Sequence, residues 1–183
     1  MPLLSAALSF LISLISVPLV RWLSFRLGKV KQPRQDRWHR QPTPTLGGIA
    51  IFTAFLGALF ILMLVTSSYS ASYGSLLIGA GMAFAIGLLD DLRPLPPTLK
   101  LVGQLAAATV VIFFGDQTIR FFPWMFANIL LTYFWLIGIT NAINLLDNMD
   151  GLAAGVALIA AGLLGVFLWS GRADFLLQVD LAL

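Results

Sequence analysis

The residues of this chain that could carry out chemistry are carboxylates and amides placed where long apolar runs end. Asn141, Asn144, Asp147 and Asp150 recur every three residues, with mainly apolar residues between them. Helical neighbours three apart share a face, but over nine residues the stripe drifts by about 180°. We therefore expect some unwinding here, which Gly151 permits. Such oxygen ligands suit Mg²⁺ or Mn²⁺; a hydrated helix end or a hydrogen-bonded seam between helices is the alternative.

A second cluster, Asp90 and Asp91, ends another apolar run just before a proline-rich turn. Adjacent helical residues point about 100° apart, so the two carboxylates need not share a direction. One can bind a cation while the other holds a lysine or arginine. The alternative is a helix end that is simply wetted by polar residues. Carboxylates at the C-terminal end of a helix oppose the helix dipole, and this mismatch favours a functional interpretation.

The third cluster is a basic stretch with five cations between residues 29 and 40. Arginine and lysine there could recognise phosphate groups, whereas the alternative is a basic anchor that attracts anionic lipid. Trp38 is interpreted as an interfacial anchor or a stacking surface, and His39 as a bystander. The turn that leads into Gly47 and Gly48 predicts close helix packing at the start of the second apolar run.

The overall composition shows which elements must position these clusters. Of 183 residues, 59% are hydrophobic and 10% are charged, whereas a soluble domain is about a quarter charged. The absence of cysteine excludes disulfides, thiolate zinc sites and cysteine nucleophiles, and one histidine excludes a multi-histidine site. The formal net charge is +3, with the basic residues beside apolar segments. This indicates a membrane surface as partner and no nucleic acid.

Six apolar runs are candidates to cross a bilayer, which needs about 20 residues per helix. They lack the alternation of a barrel, so the predicted fold class is all-α, a polytopic transmembrane helix bundle in a single domain over 1–183. Basic residues follow the first run instead of preceding it, which favours a retained span over a signal peptide. The fourth run extends towards the N-terminus if the Lys100 side chain reaches the interface. The fifth run is long, so its last turns can lie in a polar surface outside the bilayer. Residues 175–183 look like the start of a seventh span. The six are Leu3–Val20, Leu46–Thr66, Ser72–Leu89, Leu101–Gly115, Phe121–Leu146 and Gly151–Gly171.

The basic residues also predict an orientation. Nine of the eleven lysines and arginines lie in residues 21–45 and 92–100, which the positive-inside rule makes cytoplasmic. The N-terminus is then outside, and all three clusters face the cytoplasm. Cations, carboxylates and a divalent metal at one membrane face indicate phosphate chemistry, since phosphoryl transfer is mainly positioning and charge neutralisation.

In these three clusters the chain resembles the polyprenyl-phosphate N-acetylhexosamine-1-phosphate transferases. The matching stretches are Trp38–Gly48, Gly87–Asp91 with Lys100–Gln104, and Thr140–Leu152, of which the last is highly specific. The resemblance implies that a cytoplasmic UDP-N-acetylhexosamine gives its sugar-1-phosphate to undecaprenyl phosphate in the bacterial inner membrane. UMP leaves, and the lipid product starts cell-envelope polysaccharide synthesis, such as O-antigen of lipopolysaccharide or wall teichoic acid. The motifs look closer to the N-acetylglucosamine-1-phosphate branch than to the peptidoglycan translocase.

The resemblance also implies roles for individual residues and a cofactor, Mg²⁺ or Mn²⁺. The catalytic aspartate pair would lie near the lipid phosphate or the metal, and metal ligands and substrate contacts would come mainly from the third motif. These roles fall on Asp90 and Asp91 as the catalytic pair, on Asn144 and Asp147 as metal ligands, and on Thr45, Lys100, Asn141, Asp147 and Asp150 as substrate-binding residues.

The chain departs from the family pattern at several points. Asp147 is followed by Asn148 where relatives usually have glycine, and Lys31 stands where many have aspartate. Family members usually have about ten spans, so we expect this chain to be the N-terminal part of a ten-helix transferase. Alternatives are a truncated, inactive membrane protein that still binds nucleotide sugar or partners, and a transporter segment, although neither half-helix pairing nor a repeat is evident. The sequence is also compatible with a homodimer.

Overall fold

The computed structural model confirms the all-α architecture. It describes residues 2–31, 43–66, 71–147 and 151–169. Five helices are long and apolar enough to cross a membrane, the fourth by continuing through a π-helical turn at Val110–Phe114. The helices are α1 (Pro2–Arg26), α2 (Gly47–Thr66), α3 (Ala71–Leu92), α4 (Pro97–Thr109), α5 (Met125–Leu146) and α6 (Leu152–Trp169).

The sixth predicted span forms α6, but its apolar stretch among the described residues, Leu152–Leu163, is shorter than a full span. The predicted start of a seventh span, 175–183, lies outside the described residues. Five of the six predicted spans are thus confirmed as helices of membrane length, and the described chain forms two compact units, Met1–Gln117 and Thr118–Leu183.

In the first unit, α1 packs along α2, and α3 packs against both α2 and α4. Small residues on α2 allow close approach, since Ala50, Ala54 and Ala58 recur every four residues and are buried. The Ser16 hydroxyl of α1 donates a hydrogen bond of 3.4 Å to the Ala50 carbonyl oxygen. Val20 of α1 joins Ala50 in the buried cluster between the two helices.

The turn after α1 is a Schellman motif, in which a left-handed residue lets two backbone donors pair with the last helical carbonyls. Gly28 has φ +64°, and its N–H donates to the Phe25 carbonyl oxygen at 3.2 Å. The Lys29 N–H reaches back to the Ser24 carbonyl oxygen at 2.9 Å. The chain then enters a two-residue antiparallel ladder between β1 (Val30–Lys31) and β2 (Thr43–Pro44), directly before α2.

In the second unit, α5 contacts α6. Helix α5 begins later along the chain than the apolar run predicts. The apolar run starts at Phe121, but α5 starts at Met125 because Pro123 disfavours helical backbone at Phe122. The surplus length of this run is therefore removed at its N-terminal end. At the other end α5 continues as a helix to Leu146, and the expectation that its last turns lie at a polar surface stays a prediction.

Candidate functional site

The Asp90 carboxylate joins the end of α3 to the start of α4. Its Oδ2 lies 2.6 Å from the Lys100 ammonium, and its Oδ1 accepts a hydrogen bond of 2.9 Å from the Leu95 N–H. One side chain thus bonds to the turn between the helices and to the first turns of α4. This is the second of the two roles predicted for the pair, in which one aspartate holds a lysine.

The ion pair between Asp90 and Lys100 also explains an electrostatic mismatch in the sequence. Asp90 lies at the C-terminal end of α3 and Lys100 near the N-terminal end of α4, and each charge has the unfavourable sign for its helix dipole. At 2.6 Å each charge compensates the other. The mismatch at Asp90 therefore has a structural explanation and is not by itself evidence of catalysis.

The neighbouring Asp91 has a different environment. It lines a cavity of about 190 Å³ whose other lining residues are all apolar or glycine. One wall is Phe84, whose ring stacks on that of Phe52 with centroids 4.2 Å apart. The cavity thus combines one half-buried carboxylate with an apolar lining. The lining residues are Leu46, Gly48, Ile49, Phe84, Gly87, Leu88 and Asp91.

The predicted close packing at Gly47 and Gly48 is wrong. Among the described residues, a Cβ atom built on either glycine, or on Gly87, would meet no atom within 4 Å. At Gly48 and Gly87 the missing side chains leave room for the cavity and do not bring helices together. Close packing occurs instead at Gly79, where a Cβ would lie 2.5 Å from Val111 Cγ2 and 3.2 Å from the Ala107 carbonyl oxygen.

Thr45, a predicted nucleotide-binding residue, fastens the loop between α1 and α2. Its N–H and its hydroxyl both donate to the Lys29 carbonyl oxygen, at 3.1 and 3.0 Å. Because the hydroxyl proton is used in this bond, the oxygen can serve a substrate only as an acceptor. Trp38 and His39 lie outside the described residues, so the interpretation of Trp38 as an interfacial anchor or stacking surface and of His39 as a residue without a catalytic role stays a prediction.

The amide and carboxylate stripe of the second unit lies where α5 ends. Asn141 donates from Nδ2 to the Ile137 carbonyl oxygen at 2.8 Å, and Asn144 lies one turn later with its side chain exposed. Asp147 has left the helix, with φ −70° and ψ 2°, while its N–H still bonds to the Ile143 carbonyl oxygen at 3.0 Å. The predicted unwinding is confirmed.

Three further residues, Asn148, Asp150 and Gly151, belong to the turn after α5. Gly151 has the left-handed φ of +75° that glycine adopts without steric cost, and its carbonyl accepts the Gly155 N–H at the start of α6. Asp150 and Asn148 lie outside the described residues, so their predicted roles stay predictions.

The donors that could hold a metal ion in the second unit are Asn144 and Asp147. They are three residues apart at the end of one helix, and both supply oxygen, the ligand type that Mg²⁺ and Mn²⁺ prefer. Within the described ranges, no three acidic, histidine or cysteine side chains gather into a metal cluster. This donor set fits Mg²⁺, which commonly takes one or two protein ligands and completes its shell with water and substrate phosphate.

Sequence reasoning missed the apolar residues that line the Asp91 cavity. Leu46, Phe84 and Leu88 look like ordinary residues of membrane spans, because hydropathy does not distinguish a lipid-facing side chain from a cavity wall. The signal that could have found them is the pair of glycines near the ends of the two spans, Gly48 and Gly87.

Comparison with known proteins identifies what the chain is similar to. The family model described as glycosyl transferase family 4 matches residues 73–183. A Bacillus subtilis protein named "probable undecaprenyl-phosphate N-acetylglucosaminyl 1-phosphate transferase" is 32% identical over 94% of this chain and 51% of its own length. A Mycobacterium tuberculosis decaprenyl-phosphate N-acetylglucosaminephosphotransferase is 36% identical over 78% of this chain and 39% of its own.

A third relative, a phospho-N-acetylmuramoyl-pentapeptide-transferase of Listeria innocua, is 30% identical over 87% of this chain and 56% of its own length. No solved structure matches the chain. The chain spans about half the length of the curated relatives that it matches. Because the family model covers more than half of the 183 residues, the chain belongs to glycosyl transferase family 4.

Proposed function

We propose that the complete protein transfers N-acetylglucosamine-1-phosphate from UDP-N-acetylglucosamine to undecaprenyl phosphate, releases UMP and starts the synthesis of a cell-envelope polysaccharide. The observation that carries this proposal is the division of the aspartate pair. Asp90 binds Lys100 and the Leu95 N–H, whereas Asp91 lines an otherwise apolar cavity. The names of the Bacillus and Mycobacterium relatives, which state this class of transfer, support it.

In the proposed reaction, an oxygen of the lipid phosphate attacks the phosphorus that carries the sugar. The bond from that phosphorus to the oxygen shared with UMP breaks, and UMP leaves with this oxygen. A phosphate monoester has its second pKa near 6, so at neutral pH the attacking group is already largely deprotonated. The protein then has little need of a strong base, and its main task is to position the phosphates and offset their charge.

Asp91 is proposed to act where the lipid chain meets its phosphate. The cavity supplies an apolar wall of Phe84, Leu88 and Ile49 for the first part of a prenyl chain, with the carboxylate at its edge. A carboxylate and a phosphate repel each other, so a cation is needed for both to bind here. Lys100 is a cation beside the aspartate pair, with its ammonium 2.6 Å from Asp90.

Mg²⁺ or Mn²⁺ is the proposed cofactor, with Asn144 and Asp147 as its protein ligands. When bound, the ion supplies neutralisation of phosphate charge. Asn141 and Asp150 are proposed substrate-binding residues from the same stripe. Thr45 would contribute its hydroxyl oxygen as an acceptor, since its proton is donated to the Lys29 carbonyl.

The proposed location is the bacterial cytoplasmic membrane, with the N-terminus outside and the motifs on the cytoplasmic side. Support comes from the nine basic residues in residues 21–45 and 92–100. A cytoplasmic UDP-sugar and a lipid acceptor can meet only at such a face.

The test is release of UMP by the purified complete protein, given UDP-N-acetylglucosamine, undecaprenyl phosphate and Mg²⁺. Asp91→Asn and Asp147→Asn are expected to lose about 10²-fold or more of the turnover, the usual loss when one group that offsets charge in the transition state is removed. Asp116→Asn is the matched control. Asp116 is exposed, lies outside the three clusters and has φ +50°, a conformation that asparagine tolerates.

The possible outcomes test the assigned site residues and the identity of the transferred sugar separately. Wild-type turnover in Asp147→Asn would show that the site is wrongly assigned. UMP release with only UDP-N-acetylmuramoyl-pentapeptide as donor would keep the transfer and reject N-acetylglucosamine.

A further inference from the structure

The segment Thr118–Trp124, which we call the aromatic loop, exposes large apolar side chains directly before α5. Phe121 and Trp124 are 68% and 70% exposed, and the first residues of α5, Met125 and Phe126, are exposed to a similar extent. Such a contiguous apolar surface is unusual in contact with water and marks an interaction site. This surface continues into the exposed surface of α5, a helix that is long and apolar enough to cross a membrane, so lipid is the apolar partner that fits it best.

The backbone of the aromatic loop is bound by two buried side chains of α5. Asn128 Oδ1 accepts the N–H groups of Phe121 and Phe122, at 3.1 and 2.8 Å, and its Nδ2 donates to the Phe122 carbonyl oxygen at 2.9 Å. Thr132 Oγ1 accepts the Ile119 N–H at 2.9 Å and donates to the Asn128 carbonyl oxygen at 2.7 Å. Asn128 and Thr132 are only 8% and 4% exposed.

These two features together distinguish lipid from water. A loop in water does not need side-chain partners for its backbone, because water supplies them. In lipid every backbone polar group must be paired within the protein. Aromatic side chains, in turn, are favoured where the hydrocarbon meets the headgroups. The N–H groups of Ile119, Phe121 and Phe122 and the Phe122 carbonyl are paired inward, while the Phe121 and Trp124 rings are exposed, and this arrangement suits lipid.

We propose that the aromatic loop is embedded in the lipid interface, at the end of α5 away from the Asn141–Asp147 stripe, and that Asn128 and Thr132 make this possible. Its partner is the boundary between acyl chains and headgroups, not a soluble protein. The inference stands independently of the proposed transferase activity, since it uses none of the residues assigned to the reaction.

The experiment measures the depth of the loop in a bilayer. The 183 residues contain no cysteine, so in this part of the complete protein Phe121→Cys and Trp124→Cys each give one position for a nitroxide spin label. The protein is reconstituted in vesicles of phosphatidylethanolamine and phosphatidylglycerol. Accessibility is then measured to oxygen, which partitions into lipid, and to a neutral nickel chelate, which stays in water. Trp135→Cys in the middle of α5 and Asn144→Cys at its polar end are the deep and aqueous references.

Labels at 121 and 124 are expected to meet oxygen several-fold more often, relative to the nickel chelate, than the label at 144, and less than the label at 135. Thr132→Val should move both labels toward the aqueous value, because the Ile119 N–H loses its acceptor. Thr140→Val is the matched control. Thr140 makes the same bond to a carbonyl one turn back, at 2.7 Å to Leu136, but the structure shows no bond from it to the described loop residues.

Two results would overturn the proposed location of the loop, and a third would overturn the proposed role of Thr132. Labels at 121 and 124 that are as accessible to the nickel chelate as the label at 144 would place the loop in water. Labels that are immobilised and shielded from both reagents would mean that protein, such as a second copy or a further part of the complete chain, covers the loop. If Thr132→Val and Thr140→Val behaved alike, Thr132 would have no part in holding the loop.

Discussion

Removal of the Asp90–Lys100 ion pair should destabilise the first unit in a graded way. Lys100→Met deletes only the ion pair of 2.6 Å. Asp90→Asn deletes the charge but keeps an oxygen that can accept the Leu95 N–H. Asp90→Ala deletes both the ion pair and the acceptor of that N–H bond. The three variants therefore separate the electrostatic part of the contact from the part that holds the turn.

The magnitudes follow from partial burial. The side chains of Lys100 and Asp90 are 32% and 28% exposed. Exposed ion pairs contribute about 0.2–1 kcal/mol, whereas disruption of a buried pair costs about 3–5 kcal/mol. The Asp90–Lys100 pair lies between these two cases. We expect about 1–2 kcal/mol for Lys100→Met and for Asp90→Asn. Asp90→Ala also loses a hydrogen bond to a charged acceptor, worth about 1.5–3 kcal/mol, so its total should be about 3 kcal/mol.

The assay is thermal unfolding of the purified protein in detergent, followed by tryptophan fluorescence. One kcal/mol should lower the Tm by about 2–4 °C for a chain of this size. Arg93→Met is the control, because Arg93 is an exposed cation of the same turn outside this ion pair; it should stay within about 0.5 kcal/mol of wild type. The double variant of Asp90→Asn and Lys100→Met should lose about 1 kcal/mol less than the sum of the singles. Additive losses, or a Lys100→Met effect no larger than that of Arg93→Met, would refute this account of the turn.

Further expectations concern two glycines, one threonine and the metal. Gly87→Ala should raise the free energy of unfolding by about 0.5–1 kcal/mol, because Gly87 is helical and has open space around it. Gly79→Ala should lower the Tm, because its Cβ would overlap the Val111 side chain and the Ala107 carbonyl. Equal Tm shifts of the two variants would contradict this. Thr45→Val should cost about 1 kcal/mol through its lost bond to the Lys29 carbonyl, with Thr53→Val, which loses only a bond within α2, as the control that should cost less. EDTA should abolish UMP release, and added Mg²⁺ or Mn²⁺ should restore it; turnover that persists in EDTA would exclude the proposed cofactor.

Much of this architecture could be predicted from the sequence because the bilayer imposes strict local rules. A helix that crosses lipid must be apolar over its own length, so spans are evident without knowledge of their neighbours. The end of α5 was also predictable, since a polar stripe and Gly151 interrupt the apolar pattern. The start of α5 was misplaced because hydropathy alone gave Pro123 no weight.

Residue contacts across helices could not be predicted in the same way. The packing role expected of Gly47 and Gly48 was wrong, because a small residue favours close approach only where another helix arrives, and at Gly48 the space is a cavity. Asn128 and Thr132 carry no periodic signal within their apolar run. Their function depends on a loop that folds back over the start of the helix.

The sequence by itself determined the membrane-helical fold class, the family and the clusters of polar residues, because composition, hydropathy and motif spacing are properties of consecutive residues. Only the tertiary structure decided what each polar side chain does. Asp90 and Asp91 are adjacent and chemically identical, yet one holds Lys100 and the turn after α3 while the other lines an apolar cavity. The physical reason is that helix geometry directs neighbouring side chains about 100° apart, and the surroundings in each direction are set by other helices.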